Sequence, residues 1–182
     1  MSRTARDASQ LLLGEWACLG VLHQGPSHGF AIAQALKPGG EVGRVWSLSR
    51  PLTYRALEQL QANGYVAPRG EAPGIAGGNK TMLAITRSGR AALRSWLSTP
   101  VVHLRDLRSE LLLKLVLAER CGVDVRAMIT EQKRIVRAMV KSQGDVSGSD
   151  VVKGDDVVKG GDVVMLWRRE AAEAALRFLS HL

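Results

Sequence analysis

A chain of 182 residues can bury one substantial core, or a small domain with an appended assembly element. Its hydrophobic share of 46% is ordinary for a soluble globular protein, and no apolar run reaches the roughly 18–20 residues needed to cross a bilayer. The net charge of +8 is uneven: residues 1–99 hold 11 Lys/Arg against 5 Asp/Glu, residues 100–182 hold 14 against 12, and the basic N-terminal half attracts polyanions, nucleic acid first among them.

The opening "MSRTARDASQ" has no apolar signal core, and glutamate interrupts the "LLLGEWACLGVL" that follows, so a cytoplasmic protein without a membrane partner is expected. The first helix runs from Leu11 to His23, with Leu12, Trp16, Leu19 and His23 at helical spacing. "GPSHG" (25–29) breaks it, because Gly25 suits a helix end and Pro26 cannot continue one. A second short helix, "FAIAQALK", opens at Ser27 or His28 and stops at "PGG" (38–40).

The third helix carries a mixed message in "SLSRPLTYRALEQLQANGYV" (47–66). Ser49 suits the N-cap, Pro51 is tolerated in the first turn, and "NG" at 63–64 stops the helix. On a helical wheel Leu52, Ala56, Leu57 and Leu60 share one arc, which should face a core. Thr53 falls within that arc but lies in the first turn, where it can still reach solvent, and Tyr54, Arg55, Glu58 and Gln61 lie outside it. The front of this helix is therefore basic and hydroxyl-rich on a scaffold anchored from behind.

"YVAPR" (65–69) and "KTMLAIT" (80–86) read as strands joined by the glycine-rich "GEAPGIAGGN", a β-hairpin with a long tip. "RSGRAALRSWL" resumes a helix that ends at Pro100. Three helices followed by a hairpin is the order of a winged helix-turn-helix, whose third helix enters the major groove while the hairpin reaches the neighbouring backbone. A groove-reading helix needs one buried face for rigidity and exposed donors at its front for phosphates and base edges. The candidate DNA-binding residues are Ser49, Arg50, Thr53, Tyr54, Arg55, Arg69 and Lys80.

Beyond residue 100 the chain changes character. "LRDLRSELLLKLVLAERCG" (104–122) shows a stripe of Leu104, Leu107, Leu111, Leu115 and Ala118, and "DVRAMITEQKRIVRAMVKSQ" (124–143) opens on Asp124 and carries Met128, Ile135 and Met139. "MLWRREAAEAALRFLSHL" places Trp167, Ala171, Ala174, Phe178 and Leu182 at three- and four-residue steps. Stripes on such helices need partners, which points to packing across a homodimer rather than within one chain. Between the last two helices, about 144–164, a DVVKGD-like unit recurs three times from Asp150 to Val164. It reads as a flexible linker, with exposed strand pairing through its valines as the alternative.

From Leu11 to Leu97 the sequence resembles the PadR-like winged-helix transcription regulators. The residues that carry the resemblance are "GPSHGFAIAQAL", "WSLSRPLTYRALEQLQANGYV" and "LAITRSGRAALRSWL". They include the spacing Tyr54, Leu57, Leu60, Gly64, the pair Thr86 and Gly89, and Trp96–Leu97. Residues 102–182 look like the longer helical C-terminal region of one branch of that family. The resemblance implies a homodimeric, usually repressing regulator on an inverted repeat, with Tyr54, Ser49 and Arg50 touching DNA and Lys80 contacting the backbone from the wing. The chain departs from the pattern at Thr53, where an aliphatic residue is more common, and in the repeat segment. The expected architecture is mainly α: a winged helix-turn-helix domain over 1–99 with a small hairpin wing, and a helical dimerisation region over 100–182.

No catalytic, cofactor or metal constellation stands out. His23, His28, His103 and His181 are dispersed, with His28 read as a cap on the second helix, and Cys18 and Cys121 lack ligand spacing and read as reduced core thiols. "GIAGGNKT" (74–81) lacks the register of a phosphate-binding loop. Trp16, Trp96 and Trp167 are candidates to line a pocket for a small apolar or aromatic effector, with plain core packing as the alternative. Two functions of different class follow: a ligand-responsive repressor that binds double-stranded DNA, and a winged-helix docking module that never meets DNA. Arg50, Arg55, Arg69 and Lys80, gathered on helix and wing, favour the first, since a docking surface has no need of them.

Overall fold

The computed structural model describes residues 8–73, 79–144 and 160–182, and the chain divides into two compact units. The first comprises residues 1–99 and 109–125, the second residues 100–108 and 126–182. Among the described residues no helix is long and apolar enough to cross a membrane.

In the first unit α1 (Leu13–Leu22) forms the centre. It is apolar nearly all round, as a helix surrounded by others must be, and every one of its residues from Gly14 to Leu22 is buried. Around it stand α2 (Gly29–Leu36), α3 (Arg50–Ala62), α4 (Arg87–Leu97) and α5 (Leu112–Cys121), with β1 (Ser27–His28), β2 (Val66–Pro73) and β3 (Asn79–Ile85) as a sheet. Ala17, Cys18, Leu19 and Leu22 of α1 meet Ile32 and Leu36 of α2, Leu57 and Leu60 of α3, Leu93 and Leu97 of α4 and Leu83 and Ile85 of the sheet in one core. Burial pushes the Cys18 thiol far above its usual range, which keeps it protonated and unreactive.

The sheet is antiparallel, in the order β1-β3-β2. Sequence reasoning expects the β2–β3 hairpin but not β1, whose two residues pair Ser27 with Leu83 and His28 with Met82. A strand of two residues is too short to show alternation. The hairpin register slips between Pro68 and Glu71, so Arg69 and Gly70 form a bulge that bends the wing.

The wing joins α4 through Thr86 and Gly89. Thr86 is the N-cap: its hydroxyl accepts from Gly89 N at 3.1 Å and donates to Gly64 O at 2.8 Å. Thr86 N also donates to Tyr65 O at 3.0 Å, so the cap ties the end of α3 to the start of α4. A Cβ on Gly89 would stand 2.3 Å from that same Tyr65 carbonyl oxygen. The pair singled out in the sequence is thus a cap and a close backbone approach.

Residues 104–122 are not one regular helix. A 3-10 turn (Leu104–Asp106) and a π turn (Leu107–Leu111) precede α5. The wide π turn shifts the helical phase, and the buried face beyond it falls on Leu113, Leu117 and Ala118 while Leu115 is half-buried. These three residues complete the core of the first unit, so this face of α5 is covered within a single chain.

The second unit pairs α6 (Arg126–Gly144) with α7 (Gly160–Ser180). Asp124, expected to open α6, lies two residues before it. Met128 and Val136 of α6 and Ala172 and Leu179 of α7 are buried, as is Val101. Gln132, also buried, clasps Val101 at both ends, accepting from its N–H at 2.6 Å and donating to its carbonyl at 2.9 Å. The helix α7 begins at Gly160, so it takes in the end of the segment expected to be a linker over 144–164; residues 145–159, with most of the repeat, lie outside those described. The apolar stripe foreseen on this helix does not face α6: Trp167, Ala174, Phe178 and Leu182 are exposed.

Candidate nucleic-acid interface

The helix α3 is buried at Thr53, Ala56, Leu57 and Leu60, an i, i+3, i+4, i+7 set. This corrects the expected wheel in its first turn. Leu52 lies about 100° round from Thr53 and is 49% exposed, whereas Thr53 is fully buried and takes the place of an aliphatic residue. The Thr53 hydroxyl donates to Ser49 O at 3.1 Å, which satisfies it in the core. Thr53 therefore leaves the set of DNA-contact candidates.

The remaining candidates on this helix stand in the open. Ser49 is the N-cap, but its side chain makes no capping bond and stays exposed, as do Arg50, Tyr54 and Arg55. An N-terminal turn that carries Arg50 and backbone N–H groups without intrahelical partners, with Arg55 in the turn after it, suits an approaching phosphate.

The helix α2 contributes a side chain that sequence reasoning passed over. His28 caps α2 as expected, Nδ1 accepting from Ala31 N at 3.1 Å. This cap fixes Phe30 in the first turn, outside the buried arc of Ile32, Ala33 and Leu36, with its ring 45% exposed. The Arg50 guanidinium lies over both Phe30, 5.4 Å from the ring centroid, and Tyr54, at 5.7 Å. Gly29 lets the two helix fronts meet: a Cβ there would stand 2.8 Å from Cε1 of Tyr54. The signal available in the sequence was an aromatic residue off the apolar arc, two residues after a helix cap.

The wing candidates stand elsewhere on the unit. Lys80 is half-buried on β3, opposite Ala72, and beside it Asn79 donates to the Glu71 carboxylate at 2.6 Å. Arg69, at the bulge, is exposed and lines a cleft of about 290 Å³ with Leu22, Gly25, Pro26, Ala84, Ile85 and Arg90. Arg90 donates to His23 O at 3.1 Å. Burial, together with the positive charges of Arg90 and Arg94, lowers the His23 pKa and keeps this imidazole neutral at pH 7. Arg87, Arg90 and Arg94 are all exposed on α4, adding a basic stripe that a motif search does not weigh.

The tryptophans divide. Trp16 and Trp96 stack on each other, centroids 4.8 Å apart and planes 8° off parallel, within the first unit. Lys114 Nζ lies 4.9 Å from the Trp96 centroid, donates to Thr99 O at 2.6 Å and pairs with Glu110 at 2.8 Å. Burial lowers the Lys114 pKa against the opposing pull of Glu110. Trp167, on α7 in the second unit, is 61% exposed. Among the described residues no cluster of His, Cys, Asp or Glu could hold a metal ion.

Residues 18–95 match the model of the transcriptional regulator PadR-like family, a family of regulators rather than enzymes. The match spans α1 to α4 and therefore the whole candidate interface. Among solved structures, the chain is similar to PadR of Bacillus subtilis in complex with operator DNA, with 20% identity over 92% of this chain and 96% of that one, at a TM-score of 0.45. It is also similar to the same protein in complex with p-coumaric acid, with 20% identity over 93% of this chain and 96% of that one, at a TM-score of 0.44. No curated protein matches it.

Proposed function

We propose that the protein, whose residues 18–95 match the PadR-like family model, is a DNA-binding transcription regulator. It acts as a homodimeric repressor on an inverted repeat and responds to a small apolar or aromatic effector. The observation that carries DNA binding is the front of α3, where Ser49, Arg50, Tyr54 and Arg55 are exposed over a helix anchored by Thr53, Ala56, Leu57 and Leu60. Arg50 and Tyr54 meet base edges and phosphate, and Lys80 gives the wing a point charge for the backbone. The homodimer reading rests on α7 and the residues after it: Trp167 and Phe178 of the helix and Leu182 beyond it stay exposed while Ala172 and Leu179 are buried. Of the candidate tryptophans Trp16, Trp96 and Trp167, only Trp167 is exposed, and it is the one placed to meet an effector.

DNase footprinting on the promoter of the protein's own gene tests the reading. Two protected half-sites should appear about 34–36 Å apart along the duplex, one helical turn, or a multiple of it. A folded protein that protects no fragment would hand the fold to the docking-module alternative. Sedimentation should show a dimer at micromolar concentration, and Trp167→Asp with Phe178→Asp should shift it toward monomer; a wild-type monomer at that concentration would contradict the homodimer.

A further inference from the structure

The exposed apolar groups of the first unit are not scattered. Among its described residues the large exposed hydrophobics are Leu12, Phe30, Leu52 and Tyr54, and the last three belong to the first two turns of α2 and α3. They share those turns with Ser49 and Arg50, so the basic front is also an apolar one. Phe30 in particular is held in place: His28 caps its helix, Gly29 presses that helix against the Tyr54 ring, and the Arg50 guanidinium lies over its face at 5.4 Å. A phenylalanine exposed to 45% on a surface built for a polyanion leaves apolar area in water until a partner covers it. Besides hydrogen-bond donors and acceptors, the major-groove edges of the bases offer one methyl group, the 5-methyl of thymine.

We infer that Phe30 is a sequence-reading residue, its exposed ring covering a thymine methyl in each half-site beside the base met by Arg50. The inference rests on the proposed reading of duplex DNA and deepens it. Phe30 and Arg50 then work as a pair, the ring supplying an apolar contact to one base while holding the guanidinium toward another. An Arg50 held over two rings loses less conformational freedom on binding than a free arginine does.

The test uses the footprinted duplex, with each thymine of a half-site replaced in turn by deoxyuridine, which lacks only the methyl. Affinities are measured for the full-length wild type, Phe30→Ala and Phe30→Leu. At one thymine per half-site the wild type should lose about fourfold on replacement, the effect of one apolar carbon left uncovered. Phe30→Ala should bind the thymine duplex more weakly and show no further loss at that position. Phe30→Leu, which keeps an apolar contact without a ring, should keep part of the sensitivity. A ring that merely supports Arg50 would weaken binding without removing the response to a single methyl. Wild-type binding indifferent to every deoxyuridine, or Phe30→Ala with the full wild-type response, overturns the inference alone. Failure of the wild type to bind any duplex overturns it together with the proposed function.

Discussion

Gly89→Ala is expected to destabilise the first unit by roughly 2–3 kcal/mol, the cost of forcing a methyl group into packed backbone. The added Cβ would stand 2.3 Å from the Tyr65 carbonyl oxygen, 3.1 Å from its carbonyl carbon and 2.8 Å from Ile85 Cγ1. Two of these atoms are backbone and cannot swing aside. The same Tyr65 oxygen accepts from Thr86 N, so relief of the clash pulls at the cap of α4 and at the join between wing and helix. For a unit of this size the loss corresponds to a fall in melting temperature of roughly 10–20 °C. Gly25→Ala is the matched control, because a Cβ there meets nothing within 4 Å. Calorimetry of the two variants should separate them clearly, and an unchanged melting temperature for Gly89→Ala would show that the close approach is absent.

Arg50→Ala is expected to lower affinity for the footprinted duplex by about 5–150-fold, the roughly 1–3 kcal/mol associated with a bidentate contact to guanine O6 and N7. Arg50 is exposed and supports no core, so the fold should survive. The loss should fall mainly on specificity, with preference relaxed at one position per half-site and binding to scrambled DNA nearly retained. Arg50→Lys should recover little of it, because an ammonium keeps the charge but not the planar fork. A variant with wild-type preference would remove Arg50 from base recognition.

The winged-helix order, the His28 cap and the start of α3 at Ser49 were legible in the sequence, because each depends on neighbours within a few residues; Thr86 and Gly89 stood out only through the family resemblance, since what they do depends on Gly64 and Tyr65. The first turn of α3 was not legible. A helical wheel weighs Leu52 as core and Thr53 as marginal, yet the buried set is fixed by which side of the helix meets α1 and α2, and Thr53 becomes tolerable there only because Ser49 O accepts its hydroxyl proton. The strand β1 escaped notice because its pairing with β3 depends on residues far apart in the chain, Ser27 with Leu83 and His28 with Met82. The stripe read on residues 104–118 is interrupted by the π turn at Leu107–Leu111, beyond which Leu113, Leu117 and Ala118 are buried in the first unit while Leu115 is half-buried. The stripe on α7 has the opposite outcome: its spacing was legible, and it lies on the exposed side of the helix.

Of the candidate interface, the charges were legible and the apolar members were not. Arg50, Tyr54 and Arg55 declare themselves by type and position. Phe30 belongs to a different helix, and only the fold brings it beneath the same guanidinium.

A salt-series fluorescence-anisotropy titration on the footprinted duplex and a scrambled one, with wild type, Arg50→Ala and Lys80→Ala, tests most directly whether the front of α3 reads double-stranded DNA. The wild type should prefer the footprinted duplex, its affinity falling linearly on logarithmic axes as salt rises. Arg50→Ala should lose the preference, and Lys80→Ala should weaken both duplexes alike and flatten the salt dependence by about one unit of slope. Equal affinity for both duplexes in the wild type, or wild-type affinity and preference in both variants, would contradict it.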